Sequence, residues 1–145
     1  MSAINEWFGS YSAVFRYIER TYGKEELERY LDYLATVAND DVVRLYRQGG
    51  LDAIESRLAG NFRLDGGDDA VRCERTADHL TLEVRCPAFH NKPVQRHPDL
   101  QIDSGFCRCC IRYNTRILQE AGFALEVSVT GNGHCCWKIR LKESE

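Results

Sequence analysis

The chain contains 145 residues, of which 43% are hydrophobic and 28% are charged, with a formal net charge of -3 at neutral pH. This composition is typical of one ordinary globular domain and argues against a disordered or fibrous chain. The mildly acidic balance lacks the basic excess of nucleic-acid-binding modules, so we expect no nucleic-acid partner.

We expect neither an export signal nor a membrane-spanning segment in this sequence. Its first residues form neither a basic region nor an apolar run, and no window approaches the roughly 18 uninterrupted apolar residues of a membrane span. We therefore expect a cytoplasmic protein without a membrane partner. In a reducing compartment, the seven cysteines of the chain more often serve metals or catalysis than disulfides. Their odd number also disfavours complete pairing.

The first 64 residues have the apolar spacing of amphipathic helices. The first stripe comprises Phe8, Tyr11, Phe15, Ile18 and Tyr22, and the second comprises Leu27, Tyr30, Leu31, Leu34 and Val37. Gly23 is expected to end the first helix, and Gly49-Gly50 to end a short third one. A further helix is predicted from Leu51 to Leu64. We interpret the aromatic residues of these stripes as core residues.

The spacing of apolar residues changes after the Gly66-Gly67 turn. Alternating apolar residues predict strands around residues 71–75, 80–86, 123–129 and 135–141, and a helix is predicted over 106–121. All three prolines of the chain fall in a long loop over residues 87–105. The predicted fold is α+β: a helical part (1–65) packs on a small, mainly antiparallel sheet with one long helix (66–145), and both form a single domain (1–145).

The predicted strands and helix determine the direction in which each cysteine side chain points. Strand alternation and helical spacing direct four of them to one end of the sheet, namely Cys86, Cys107, Cys110 and Cys135. Cys109 and Cys136 lie on sides predicted to face solvent, and Cys73 has no close partner in sequence.

Two of the four convergent cysteines form the motif Cys107-x-x-Cys110, near the start of the predicted helix. This spacing lets two thiolates bind one metal, and a helix N-terminus lowers the pKa of a thiol. Four such thiolates predict a tetrahedral zinc site. The same four cysteines could instead hold an iron–sulfur cluster, or fill space as free buried thiols.

Histidine and polar side chains near these cysteines are candidates for reaction chemistry. His90 lies in the proline-containing loop, and His134 directly precedes Cys135. An imidazole titrates near neutral pH, so either histidine is a candidate catalytic acid or base. Asp103 and Asn114 are the candidate substrate-binding residues.

The segment from Val84 to Leu141 resembles a known family in the order of its motifs. These are a strand ending in Arg85-Cys86, a variable loop, Cys109-Cys110-Ile111-Arg112, Gly122-Phe123, and Gly131-Asn132-Gly133-His134-Cys135-Cys136-Trp137. The order resembles the family named for L-2-amino-thiazoline-4-carboxylic acid hydrolase, whose small members have a helical N-terminal part and a cysteine-bearing C-terminal half.

The resemblance implies functional roles for Cys86, Cys110 and Cys135. The chain departs from the family pattern at two positions, because Tyr113 and Cys136 stand where acidic residues are expected. If those acids serve ring opening in the family, this protein acts on another substrate or is not a hydrolase.

The sequence therefore predicts two main classes of function. The first is a metal-dependent or thiol-dependent hydrolase that acts on a small heterocyclic substrate or one with a C–N or C–S bond to break. The alternative is a non-enzymatic zinc or iron–sulfur protein that acts as a sensor, metal handler or accessory module, since a site closed by four cysteines leaves no open position. A third possibility is a small-molecule-binding domain with unligated cysteines.

Overall fold

A computed structural model describes residues 3–85, 97–131 and 133–143 of the chain. The N-terminal helices are α1 (Ala3–Tyr22), α2 (Lys24–Tyr33) and α3 (Asp40–Gly66). They are followed by β1 (Val71–Arg75), β2 (His79–Arg85), α4 (Ser104–Glu120), β3 (Phe123–Gly131) and β4 (His134–Leu141). A π-helical turn over Leu34–Ala38 joins α2 to α3. The predicted α+β class is confirmed. Helices come first, and an antiparallel sheet follows with one long helix between its second and third strands.

Glycine residues with positive φ angles interrupt the N-terminal helices. Gly23 separates α1 from α2 with a φ of 95°, and Gly50 bends α3 with a φ of 64°. Such angles are strained for residues that have a Cβ atom. The predicted helix ends at Gly23 and at Gly49-Gly50 are therefore both found, although α3 continues across Gly50 as a kinked helix.

The strands form a 4-stranded antiparallel sheet in the order β1-β2-β4-β3. Its inner face carries the apolar row expected from the alternation in β2 and β4. The fully buried members of this row are Leu80, Leu82, Trp137 and Ile139. Phe62 of α3 packs edge-on against Trp137, with 5.9 Å between the ring centroids. Helices α3 and α4 cover this face and complete the main core.

The first two helices contact α4 rather than the sheet. Leu27 and Leu31 of α2 form a second, smaller apolar cluster with Cys109 of α4. Asp32 of α2 accepts two hydrogen bonds from Arg112 of α4, at 3.1 and 2.9 Å. Helix α4 is therefore covered on two sides, by the sheet and by the α1–α2 pair.

The stripe of α1 is only partly a core stripe. Phe15 and Ile18 pack against the second cluster, but Tyr11 is 46% exposed and Tyr22 is 65% exposed. The interpretation of these two tyrosines as core residues was wrong, because the described elements leave both side chains substantially exposed. None of the described helices is both long and apolar enough to cross a membrane.

The outer face of the sheet carries polar and charged side chains. Its exposed members include Arg72, Glu74, Glu83, Arg85, Lys138 and Arg140. Alternation along each strand requires this, because their neighbours in sequence fill the core on the other face. The sheet therefore presents an open polar surface that the described helices do not cover.

Candidate functional site

A surface cavity of about 310 Å³ lies at the end of the sheet where β2 ends and β4 begins. All four strands or the turns next to them contribute to its wall. The lining residues are Asp69, Ala70, Arg72, Glu83, Val84, Arg85, Thr130, His134, Cys135 and Cys136. Arg85 is the last described residue before the segment that contains Cys86 and His90. The structure therefore has an open cavity at the end of the sheet where the sequence predicts a functional site.

His134 and Cys136 project from the same face of β4. His134 pairs across the sheet with Arg85, and Cys136 pairs with Glu83, which are both outer-face positions. Residues two apart on a strand point the same way, with Cα atoms about 7 Å apart. An imidazole and a thiol are therefore adjacent in one wall of the cavity. His134 is exposed and Cys136 is half-buried.

The charges in this wall are only partly paired. Arg72 and Glu83 approach to 3.8 Å, and both side chains are mostly exposed. Such a solvated pair contributes at most about 1 kcal/mol. Arg85 forms no ion pair with the residues described by the structure. It therefore leaves a cationic group available at the cavity for an anionic partner.

Cys135 also lines the cavity but is turned toward the protein interior. The indole Nε1 of Trp137 donates a hydrogen bond to Cys135 Sγ at 3.0 Å. Burial raises the pKa of Cys135, an effect that the hydrogen bond from Trp137 partly opposes and the neighbouring Cys136 increases. A thiol in this position stays protonated at neutral pH and satisfies a buried donor.

Cys110 and Asn114 are adjacent on α4, as their spacing of four residues predicts. Asn114 Nδ2 donates to the Cys110 carbonyl oxygen at 2.9 Å and reaches the Cys110 Sγ at 3.5 Å. Asn114 is only 8% exposed, so its amide is engaged within its own helix. The proposed role of Asn114 in substrate binding stays a prediction, and the geometry gives it a local structural role.

Asp103 begins α4 as its N-cap residue. Its Oδ1 accepts hydrogen bonds from the backbone N–H groups of Gly105 and Phe106, at 2.9 and 3.2 Å. Its Oδ2 accepts a hydrogen bond from Arg16 of α1 at 2.8 Å. Both carboxylate oxygens are therefore engaged, one by the first turn of α4 and one by Arg16 of α1, and substrate binding by Asp103 stays a prediction.

Cys109 is not on a solvent-facing side of its helix. It is 6% exposed and packs against Leu27 and Leu31 of α2. Burial raises the pKa of Cys109 to about 11, with a further increase from Glu19. The predicted exposure of Cys109 was wrong because the α1–α2 pair covers the face of α4 that the pattern left without a partner.

The predicted metal site is only partly within the described structure. Cys86 and His90 lie outside the described residues. Within the described ranges, no group of three or more histidine, cysteine, aspartate or glutamate side chains could hold a metal ion. Cys107, Cys110 and Cys135 alone therefore do not fit zinc or a cluster, and the four-cysteine site with Cys86 stays a prediction.

Cys136 lines this cavity but is not one of the site residues predicted from the sequence. Its direction away from the core was predicted correctly, but without a ligand pattern around it Cys136 was not among the predicted site residues. The available signal was the spacing of two between His134 and Cys136, which places an imidazole beside a thiol on one face of a strand.

Comparison of the chain with protein-family models and with curated proteins gives no match. The resemblance to the L-2-amino-thiazoline-4-carboxylic acid hydrolase family therefore remains a prediction from the motifs of residues 84–141.

Proposed function

We propose that this protein is a thiol-dependent hydrolase of a small molecule, with Cys136 as the nucleophile and His134 as the catalytic base. The observation that carries the proposal is the placement of both side chains on one face of β4, in the wall of an open cavity. A thiol next to a histidine is a recurrent arrangement for nucleophilic catalysis, because the imidazole accepts the thiol proton.

The two other described cysteines outside α4 are less suited to this role. Cys135 accepts the indole hydrogen bond and has a pKa raised by burial. Cys73 receives a contact of 3.7 Å from Arg63, and burial is the largest influence raising its pKa. A raised pKa reduces the thiolate fraction that attacks a substrate. Cys136 lies in the cavity wall, on the face of β4 that points away from the core.

The proposed reaction proceeds through a covalent adduct. His134 takes the proton of Cys136, and Sγ attacks the electrophilic carbon of a C–N or C–S bond. The new S–C bond forms as the nitrogen or sulfur leaves, and the leaving atom receives the proton from His134. Water, activated by His134, then cleaves the S–C bond and regenerates the thiol.

Arg85 is the group that we assign to substrate orientation. It lines the cavity, pairs across the strands with His134 and has no described carboxylate partner. A guanidinium presents paired N–H donors that match the geometry of a carboxylate. The family resemblance implies a substrate with such a carboxylate next to a sulfur- and nitrogen-containing ring.

The non-enzymatic alternative, a zinc or iron–sulfur protein, remains a prediction that depends on Cys86. The described cysteines do not form a ligand group by themselves. Elemental analysis of protein purified without oxygen tests this alternative directly. Stoichiometric zinc or iron that disappears in Cys86→Ser would support it and count against a purely thiol-dependent enzyme.

The hydrolase proposal is tested by alkylation and by activity. We expect iodoacetamide at neutral pH to modify Cys136 before Cys135 and Cys109, as mapped by peptide mass spectrometry. With a panel of cyclic C–N and C–S carboxylates, Cys136→Ser should abolish turnover. His134→Gln should lower kcat by roughly 10²–10⁴-fold, the usual contribution of a general base.

The matched control is Cys73→Ser, which removes a half-buried thiol on a different strand. It should leave both the alkylation of Cys136 and turnover unchanged. Full turnover by Cys136→Ser, or alkylation of Cys136 no faster than that of buried Cys109, would show that the assignment is wrong.

A further inference from the structure

A second polar cluster lies on the other side of the sheet, among the helices. Arg57 of α3 is half-buried, and its Nη1 donates a hydrogen bond to the hydroxyl of Tyr46 at 3.1 Å. The guanidinium carbon also lies 5.9 Å from the centre of the Tyr46 ring. Tyr113 of α4 interacts with the same guanidinium. Tyr46 is fully buried, so α3 and α4 enclose the inner side of this cluster.

The positive charge of Arg57 has no carboxylate counterpart here. Arg57 forms no ion pair with any residue in the described ranges, whereas Arg112, Arg116 and Arg75 all do. Besides burial, the side chains that influence the pKa values of Tyr46 and Tyr113 are Arg57 and other tyrosines. No carboxylate is among them. Arg57 is half-buried and bonded to a phenol, but no carboxylate in the described ranges balances its charge, so this charge is available to an anion.

The cluster contains more hydrogen-bond donors than acceptors. A guanidinium carries five N–H donors and no acceptor, and each phenol has one O–H donor. The Tyr46 oxygen already accepts a hydrogen bond from Arg57. Even if one tyrosine donates to the other, at least one hydroxyl proton and several N–H groups remain for an external acceptor. Donors converging around a positive charge match the oxygens of an anion.

We propose that Arg57, Tyr46 and Tyr113 form a binding site for a small oxyanion, a carboxylate or a phosphate. The site is separate from the proposed catalytic cavity, because Tyr46 belongs to the core on the inner face of the sheet and Cys136 lies on the outer face. Arg57 supplies the charge, and Tyr113, which is half-buried, supplies a hydroxyl at the accessible rim. The proposal does not depend on hydrolase activity.

The test is a titration of the full chain with sodium acetate and with inorganic phosphate, at ionic strength held constant with sodium chloride. In ¹⁵N NMR spectra, the Arg57 side-chain Nε–H resonance should shift saturably with at least one of the two anions. By calorimetry, Arg57→Gln should weaken binding about ten- to hundredfold, which corresponds to the loss of a charge-assisted hydrogen bond. Tyr113→Phe should weaken it by about two- to tenfold.

Arg63→Gln is the matched control, because Arg63 lies on the same helix but donates to the Val71 carbonyl oxygen and contacts Cys73. It should bind the anion as the parent does. Arg57→Lys retains the charge and should bind with intermediate affinity, which separates anion recognition from a loss of folding seen by circular dichroism. Equal binding by Arg57→Gln and the parent, or no saturable shift with either anion, would overturn the proposal.

Discussion

The cysteine side chains show how neighbours give one residue type different chemistry. Cys109 is enclosed by two leucines of α2, Cys135 accepts a hydrogen bond from a buried indole, and Cys110 lies beside the Asn114 amide. Cys136 lies in the cavity wall beside His134. Reactivity at each position follows from burial and from the donor or charge next to the sulfur, because the thiolate is the reactive form.

Cys109 should make the stability of the protein depend on pH in the alkaline range. Its pKa rises from 9.0 to about 11 on folding, so the folded protein retains a proton that the unfolded chain loses. Stability contributed by this group is therefore complete below about pH 9 and declines as the pH rises toward 11. The full loss would be about 3 kcal/mol. Urea unfolding at a series of pH values measures it.

Cys109→Ala is the comparison variant for this effect. It removes the titrating group while keeping a small apolar side chain in the α2–α4 cluster. The decline in unfolding free energy between pH 9 and 11 should be smaller in the variant than in the parent. Equal slopes would assign the pH dependence to other groups, such as Tyr46 and Tyr113, whose pKa values are also raised by burial.

At the scale of elements, α4 is the central helix of the described structure. Its inner side packs against the sheet through Ile117 and Leu118, and its other side meets α2 through Cys109 and Arg112. Its first turn is fixed by Asp103, which also binds Arg16 of α1. One carboxylate therefore caps α4 and ties it to the N-terminal helix.

Asp103 should stabilise the fold in a way that acid removes. Partial burial acts to raise the pKa of Asp103, but the hydrogen bonds from Arg16 and from the Phe106 and Gly105 N–H groups outweigh it and lower the pKa below 3.8. The contribution is therefore present above about pH 4 and is lost as the pH falls through the lowered value. Asp103→Ala should destabilise the protein at neutral pH by about 1 kcal/mol, the usual effect of a lost N-cap.

Asp103→Asn separates the two functions of this side chain. Asparagine remains a good N-cap but cannot form the ion pair with Arg16, so it should cost less than alanine. Asp99→Ala is the matched control, because Asp99 pairs with the more exposed Arg20 and caps no described helix. Chemical denaturation at neutral pH ranks the three variants. An Asp103→Ala variant as stable as the parent would contradict the capping role.

At the scale of the molecule, residues 1–145 are predicted to form a single domain. We therefore expect the whole chain to unfold cooperatively. Trp137 is 1% exposed in the core under α3 and α4, whereas Trp7 on α1 is 62% exposed. In a Trp7→Phe variant, fluorescence therefore reports the sheet core alone, and far-ultraviolet circular dichroism reports mainly the helices. The two signals should give one coincident denaturation curve. Separate midpoints would show that the helical part and the sheet unfold independently.

Local sequence pattern determined much of the fold and part of the candidate site. A repeat of two residues fixed which side chains of β2 and β4 face the core, including Cys135 inward and Cys136 outward. Glycines at Gly23 and Gly50 marked positions where the helical conformation is interrupted. These features depend on residues that are close in sequence, so they can be inferred without knowing the partners.

Only the tertiary structure decided what covers each face. Cys109 is buried because α2 packs against a side of α4 that the pattern left without a partner, and Tyr11 is exposed because no described element covers its side chain fully. The contact between Arg16 and Asp103 joins residues 87 positions apart. Amphipathic spacing gives the direction of a side chain but does not specify the element that meets it, because that depends on how the whole chain packs.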